Sequence, residues 1–161
     1  MKVIGIDPGT AACGYGIVDE SDGRLRAIDH GWWKTPAAQR PAERLKTIFE
    51  AVDALIAQHA PDAVALEESF VGADARTALS VGQARGAVLV ACAAAGLECV
   101  EYAPAHVKKA VCGYGRAEKA QVKRMVKAIL GLDAPPASTH AADALAVAIC
   151  HALAPLLRAA G

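Results

Sequence analysis

Two carboxylates close short apolar runs in this chain, and a histidine and a third carboxylate open an apolar run near its end. Asp7 ends KVIGID (2–7), and Glu67 lies at the end of AVALEE (63–68). His140 and Asp143 sit three apart in STHAADALAVAI (138–149), a spacing that puts both on one face of a helix. Ligand and catalytic groups in open α/β sheets gather just beyond strand ends. If the two strands are neighbours and the helix packs its first turns over them, Asp7, Glu67, His140 and Asp143 converge. Three carboxylates brought together without a lysine or arginine repel one another unless a cation binds between them. Such oxygen-rich sets suit Mg²⁺ or Mn²⁺, and two such ions can clamp the attacking and leaving oxygens of phosphodiester hydrolysis. Each residue also has an ordinary structural use. Asp7 before PGT could shape a turn, Glu67 could face solvent, and Asp143 could stabilise a helix N-terminus. Only the joint pattern favours the metal reading. Glu68 falls on the opposite strand face from Glu67 and reads as solvated.

The elements that must position these groups are visible in the periodicity. KVIGID (2–7) reads as a buried strand, GYGIVDE (14–20) as a second, SDG (21–23) as a turn and RLRAIDHGWW (24–33) as a third. No helix separates them, so they form an antiparallel meander. PAERLKTIFEAVDALIAQH (41–59) has helical spacing. A fourth strand covers 63–68, a helix of small residues 73–96, a fifth strand 98–103 and a short helix 104–112. GYG (113–115) breaks that helix, and an amphipathic one follows over 116–131. Ser138 or Thr139 caps the last helix, which runs to about residue 158. The order predicts an α/β fold, a mixed five-stranded sheet with its first three strands antiparallel and helices flanking it, as a single domain over 1–161. Gly82 and Gly86, four apart, would let another helix come close, from this chain or from a second subunit.

Composition narrows the classes. The 161 residues are 54% hydrophobic and 21% charged, which suits one ordered domain with its own core. No apolar run reaches the length of a membrane span without a charge or a break, so no membrane is expected. Residues 1–20 lack a basic start followed by an apolar signal core, and the cytoplasm is the expected location. Five scattered cysteines with no C-x-x-C pair argue against a zinc site or a disulfide frame. The net charge is zero, but over 106–127 Lys108, Lys109, Arg116, Lys119, Lys123, Arg124 and Lys127 face a single Glu118. Such a patch suits a phosphate backbone or is simply a solvated helix face.

Taken together, GIDPGT (5–10), GYGIV (14–18), ALEESF (65–70), LSVGQARGAVL (79–89), VKKAVCGYGRAEKAQV (107–122) and HAADALAVAI (140–149) resemble the RuvC family of bacterial Holliday-junction resolvases, in the family's order and spacing. The resemblance implies an RNase H-like fold and a homodimer that cuts two opposing strands of a four-way DNA junction with divalent metal. It implies two cations per subunit, Mg²⁺ or Mn²⁺, and the RuvA–RuvB branch-migration complex as partner. The family's catalytic acids fall on Asp7, Glu67 and Asp143. The remaining metal position falls on His140, where an aspartate is expected in many members. Imidazole suits Mn²⁺ better than Mg²⁺, so this chain is expected to prefer Mn²⁺. Lys108 and Lys119 match DNA-contacting positions. Phe70 matches an aromatic that meets bases, and its alternative is a core aromatic. Two other classes compete with this reading. GIDPGT is also similar to the first phosphate motif of actin-like ATPases and sugar kinases, but the chain is too short for their two lobes. A junction-binding module without catalysis should have lost metal-binding capacity, and all four ligand positions here can still bind metal.

Overall fold

The computed structural model describes residues 1–68 and 75–159, with 155–159 described by their backbone only. The strands are β1 (Lys2–Asp7), β2 (Ala12–Ser21), β3 (Arg24–Lys34), β4 (Ala63–Glu67) and β5 (Cys99–Tyr102). The helices are α1 (Pro41–His59), α2 (Ala75–Ala94), α3 (Pro104–Cys112), α4 (Lys119–Leu130) and α5 (Thr139–Ala159). The sheet order is β3-β2-β1-β4-β5. β1, β2 and β3 pair antiparallel, while β1–β4 and β4–β5 pair parallel. This is the mixed five-stranded sheet that the sequence order predicts.

Strand alternation divides the core in two. Ile4 and Ile6 of β1, with Val64 and Leu66 of β4, face α1 and α2. Val3 of β1 and Ala65 of β4 face the other way, onto α3, α4 and α5. Asp7 and Glu67 share the parity of Val3 and Ala65, so both carboxylates leave the sheet on the α5 side. Ala141 through Cys150 of α5 are buried apart from Asp143, which is only partly exposed.

One expectation needs correction. The amphipathic helix predicted over 116–131 begins at Lys119, three residues later. Ala117 is 1% exposed and anchors an extended approach, and Glu118 is held at φ −75°, ψ 153° as the residue before the helix. Packing of that alanine overrides local helix propensity. Helix α2 keeps the charge that the sequence shows within its apolar stretch, Arg85. It is long and apolar enough to cross a membrane by length and composition alone. Alanine, valine and leucine make it so despite Arg85. Its Ala84, Val88, Ala91 and Cys92 pack into the core, and Arg85 grips Glu101 of β5 with Nε–Oε2 at 2.8 Å. A helix packed on a sheet in this way passes the same length test.

Candidate active site

Asp7 and Glu67 are brought side by side by the parallel β1–β4 pairing, in which Ile6 lies opposite Leu66. The start of α5 comes down on them because glycines of β1 and β2 leave room beneath it. Gly5 pairs with Gly16 and Asp7 with Gly14 across β1–β2. A Cβ at Gly5 would lie 2.0 Å from the Ala144 carbonyl oxygen, and one at Gly14 2.2 Å from that of His140. Neither position can carry a side chain without lifting α5 off the sheet. Ser138 fixes the helix start, its Oγ accepting the His140 amide at 3.1 Å.

His140 and Asp143 therefore arrive over the strand ends. His140 Nδ1 lies 2.8 Å from Asp7 Oδ2. That bond assigns the proton of a neutral imidazole to Nδ1 and leaves the Nε2 lone pair free. Asp143 meets Lys119, with Nζ 3.3 Å from Oδ2. Glu67, Asp143, Lys108 and Lys119 line one cavity of about 130 Å³, walled by Pro104, Val107, Val122 and Ala146. Lys119 is the first residue of α4, where the helix dipole disfavours a cation. Asp143 offsets that cost and holds the ammonium over the cavity, with 75% of the Lys119 side chain exposed.

The electrostatics are those of crowded acids. Burial pushes the Glu67 carboxyl up to about 7, and the charges of Asp7 and Asp143 add to the rise, against Lys119 and Lys108. Burial also raises Asp7, opposed by its hydrogen bond with His140 and reinforced by Asp143. Asp143, more than any other group, raises the Lys119 ammonium. A positive charge added among these carboxyls would be favourable, and the donor set of three carboxylates and one imidazole nitrogen fits a divalent cation. Among the described residues, no three His, Cys, Asp or Glu side chains already close on one point. Asp7 is joined to His140, while Glu67 and Asp143 face the shared cavity.

Of the residues singled out from sequence, Asp7, Glu67, His140, Asp143, Lys108 and Lys119 thus meet at one end of the sheet. Phe70 lies outside the described residues. Glu68 is exposed, as alternation predicts. Sequence reasoning does not single out Gly5, Gly14 and Gly16. Their signal is glycines at alternate positions of strands that otherwise read as buried.

Residues 3–151 match the family model described as crossover junction endodeoxyribonuclease RuvC. The chain belongs to the RuvC family. A RuvC from Heliobacterium modesticaldum is 53% identical over 152 residues, covering 94% of each chain. One from Chloroflexus aurantiacus is 50% identical and covers 100% of this chain and 99% of its own. Among solved structures, Thermus thermophilus RuvC superposes with a TM-score of 0.89 at 38% identity, covering 98% of this chain and 97% of that one. The same Thermus RuvC has been solved with a Holliday junction substrate, at a TM-score of 0.89 and 37% identity. The fold is the RNase H-like fold of RuvC, shared with a yeast mitochondrial Holliday junction resolvase at a TM-score of 0.67 and 12% identity.

Proposed function

We propose that this protein resolves four-way DNA junctions by paired, symmetric hydrolytic nicks, acting as a homodimer in DNA recombination and repair in the cytoplasm. The observation that carries the reading is the cavity where Glu67 and Asp143 lie under Lys108 and Lys119, with Asp7 on the adjoining strand. Acids to hold cations and lysines to hold phosphate face one small volume. Asp7, Glu67, His140 and Asp143 would hold two divalent cations. When bound, these supply Lewis acidity at the scissile phosphate and charge stabilisation at both exchanging oxygens. Lys108 and Lys119 bind non-bridging phosphate oxygens and orient the backbone for attack on phosphorus with departure of the 3′ oxygen. Asp7 keeps His140 in the Nδ1–H tautomer, which aims Nε2 as a ligand. Phe70 enters by family resemblance alone, as a ring that stacks on an unpaired base.

The dimer reading rests on α2. Leu79, Gly82, Gly86 and Val90 follow one helical stripe. Leu79 is 65% and Val90 59% exposed, and a Cβ at either glycine would meet nothing. Two sites related by a two-fold axis match a junction with the same symmetry. The RuvA–RuvB complex is the branch-migration partner in this reading. The test is a labelled four-way junction and a linear duplex of matching sequence, each incubated with Mn²⁺. Symmetric nicks confined to the junction support the proposal, with Asp7→Asn uncutting but still binding. Nicks in both substrates, or none in either, reject it.

A further inference from the structure

Asp7 is followed by the turn 8–11, which leads into β2. That turn is cramped: a Cβ at Gly9 would lie 2.4 Å from the Ala12 carbonyl oxygen. It is also held from three elements that contribute nothing to the cavity. Arg44 of α1 donates from Nη2 to the Thr10 carbonyl at 2.8 Å and from Nε to Thr35 Oγ1 at 2.8 Å. Thr35, just past β3 and 7% exposed, donates its own hydroxyl to the same Thr10 carbonyl. Its amide reaches the Ala11 carbonyl at 3.3 Å. Thr10 Oγ1 bonds Ser80 Oγ on α2. Both lone pairs of the Thr10 carbonyl are thereby used, one of them by a guanidinium.

Arg44 is unusual in what it lacks. It is half-buried, yet among the described residues it joins no ion pair. Its charge is spent on neutral acceptors, and hydrogen bonds to a charged donor are the stronger kind. A surface cation placed for solubility would need no such bidentate geometry. Its hydrogen bonds go to the Thr10 carbonyl and to Thr35, so its route to Asp7 runs through the turn.

We infer that Arg44, with Thr35, is a positioning residue that fixes the turn behind Asp7 and so sets where that carboxylate stands over the cavity. The inference rests on the cleavage reading given above. Sub-ångström placement of a reacting group is worth large factors in rate, and a turn of four residues between Asp7 and β2 is where slack would be felt first.

Single-turnover cleavage of a four-way junction, with junction affinity measured separately, tests it. Arg44→Ala is expected to lower the rate at saturating protein roughly 10-fold or more while affinity stays within about twofold. Thr35→Val, which keeps shape and removes the hydroxyl, should reproduce the loss, and Thr35→Ser should restore the rate. The double variant Arg44→Ala/Thr35→Val should be no slower than the slower single one, since both break one network. A full rate in Arg44→Ala or Thr35→Val overturns the inference. So does a loss confined to affinity, which would make Arg44 a DNA-binding residue. If Arg44→Ala does not fold, the two Thr35 variants decide alone. Amide exchange over 9–12 gives a readout that needs no cleavage: it should quicken in Thr35→Val, and unchanged exchange overturns the inference. Failure of the unaltered protein to cut a junction rejects the cleavage reading instead, and the exchange result then decides this one.

Discussion

Glu67→Gln should make the cation-free protein more stable at pH 8 while abolishing cleavage. The ionised Glu67 is penalised in the fold: burial, then Asp7 and Asp143, lift its carboxyl from an ordinary 4.5 to about 7. Between those values the native state binds more protons than the unfolded chain, so stability falls as pH rises through that window. Below 4.5 both states are protonated and the penalty vanishes; above about 7 it is fully present. A rise of that size corresponds to about 3 kcal/mol at most. Glu67 keeps some exposure at the cavity, and solvent screening brings the expected gain to roughly 1–2 kcal/mol. In a chain of this length that is about 2–8 °C in midpoint. The assay is thermal unfolding with a chelator at pH 8 and at pH 4, unaltered protein against Glu67→Gln. The variant should melt higher at pH 8 and level with the unaltered protein at pH 4. Added Mn²⁺ should then stabilise the unaltered protein more than the variant. A variant that melts level or lower at pH 8, or that keeps its advantage at pH 4, would refute the crowding of these acids.

Lys119→Ala should weaken junction binding and flatten its salt dependence by about 0.9 in log–log slope, the share of a single neutralised phosphate; a fluorescence anisotropy titration over a salt series reads it, and an unchanged slope would mean that Lys119 meets no phosphate. His140→Asp should narrow the gap between Mn²⁺- and Mg²⁺-supported cleavage, and His140→Ala should abolish cleavage with both. Equal rates with the two ions in the unaltered protein, together with a harmless His140→Ala, would remove His140 from the ligand set. Gly82→Leu should push the α2 faces apart and yield a monomer in sedimentation velocity that no longer makes paired nicks; a dimer with unchanged paired nicking would place the interface elsewhere.

The parts of the site that read directly from sequence are those governed by short-range rules. Alternation along 2–7 and 63–67 shows which face each carboxylate takes, and the three-residue spacing of His140 and Asp143 shows one helix face. How closely that helix approaches the sheet is a different matter. It depends on Gly5 meeting Gly16 and Gly14 lying opposite Asp7, a register between two strands that a linear pattern does not encode. The start of α4 at Lys119 escapes the periodicity for a similar reason, because the burial of Ala117 depends on what packs over it. Arg44 carries the least signal of all. In PAERLKTIF it reads as one more charge on a helix surface, and only the path of β3 into Thr35, together with the turn that carries the Thr10 carbonyl, gives it two acceptors.

His140 shows how the site balances charge against assembly. With an aspartate there, four carboxylates would crowd the ends of β1, β4 and α5, with Lys108 and Lys119 as the cations at the cavity. Burial, with Asp7 and Asp143 beside it, already lifts Glu67 to about 7, and a fourth negative charge beside Asp7 would lift these acids further. A neutral imidazole would contribute a ligand atom without adding to that repulsion. Its Nδ1–H also bonds Asp7 at 2.8 Å, which draws the Asp7 carboxyl back toward ionisation against burial. The histidine therefore makes the fold around the site less costly before any cation arrives. It also gives up one unit of negative charge with which to attract a cation. That exchange falls hardest on Mg²⁺, which binds chiefly through charged oxygen and sheds water reluctantly. It falls least on an ion that accepts nitrogen, such as Mn²⁺. The expected preference for Mn²⁺ and the lower cost of assembling the acids would thus have one physical origin, in a ring that replaces a charge.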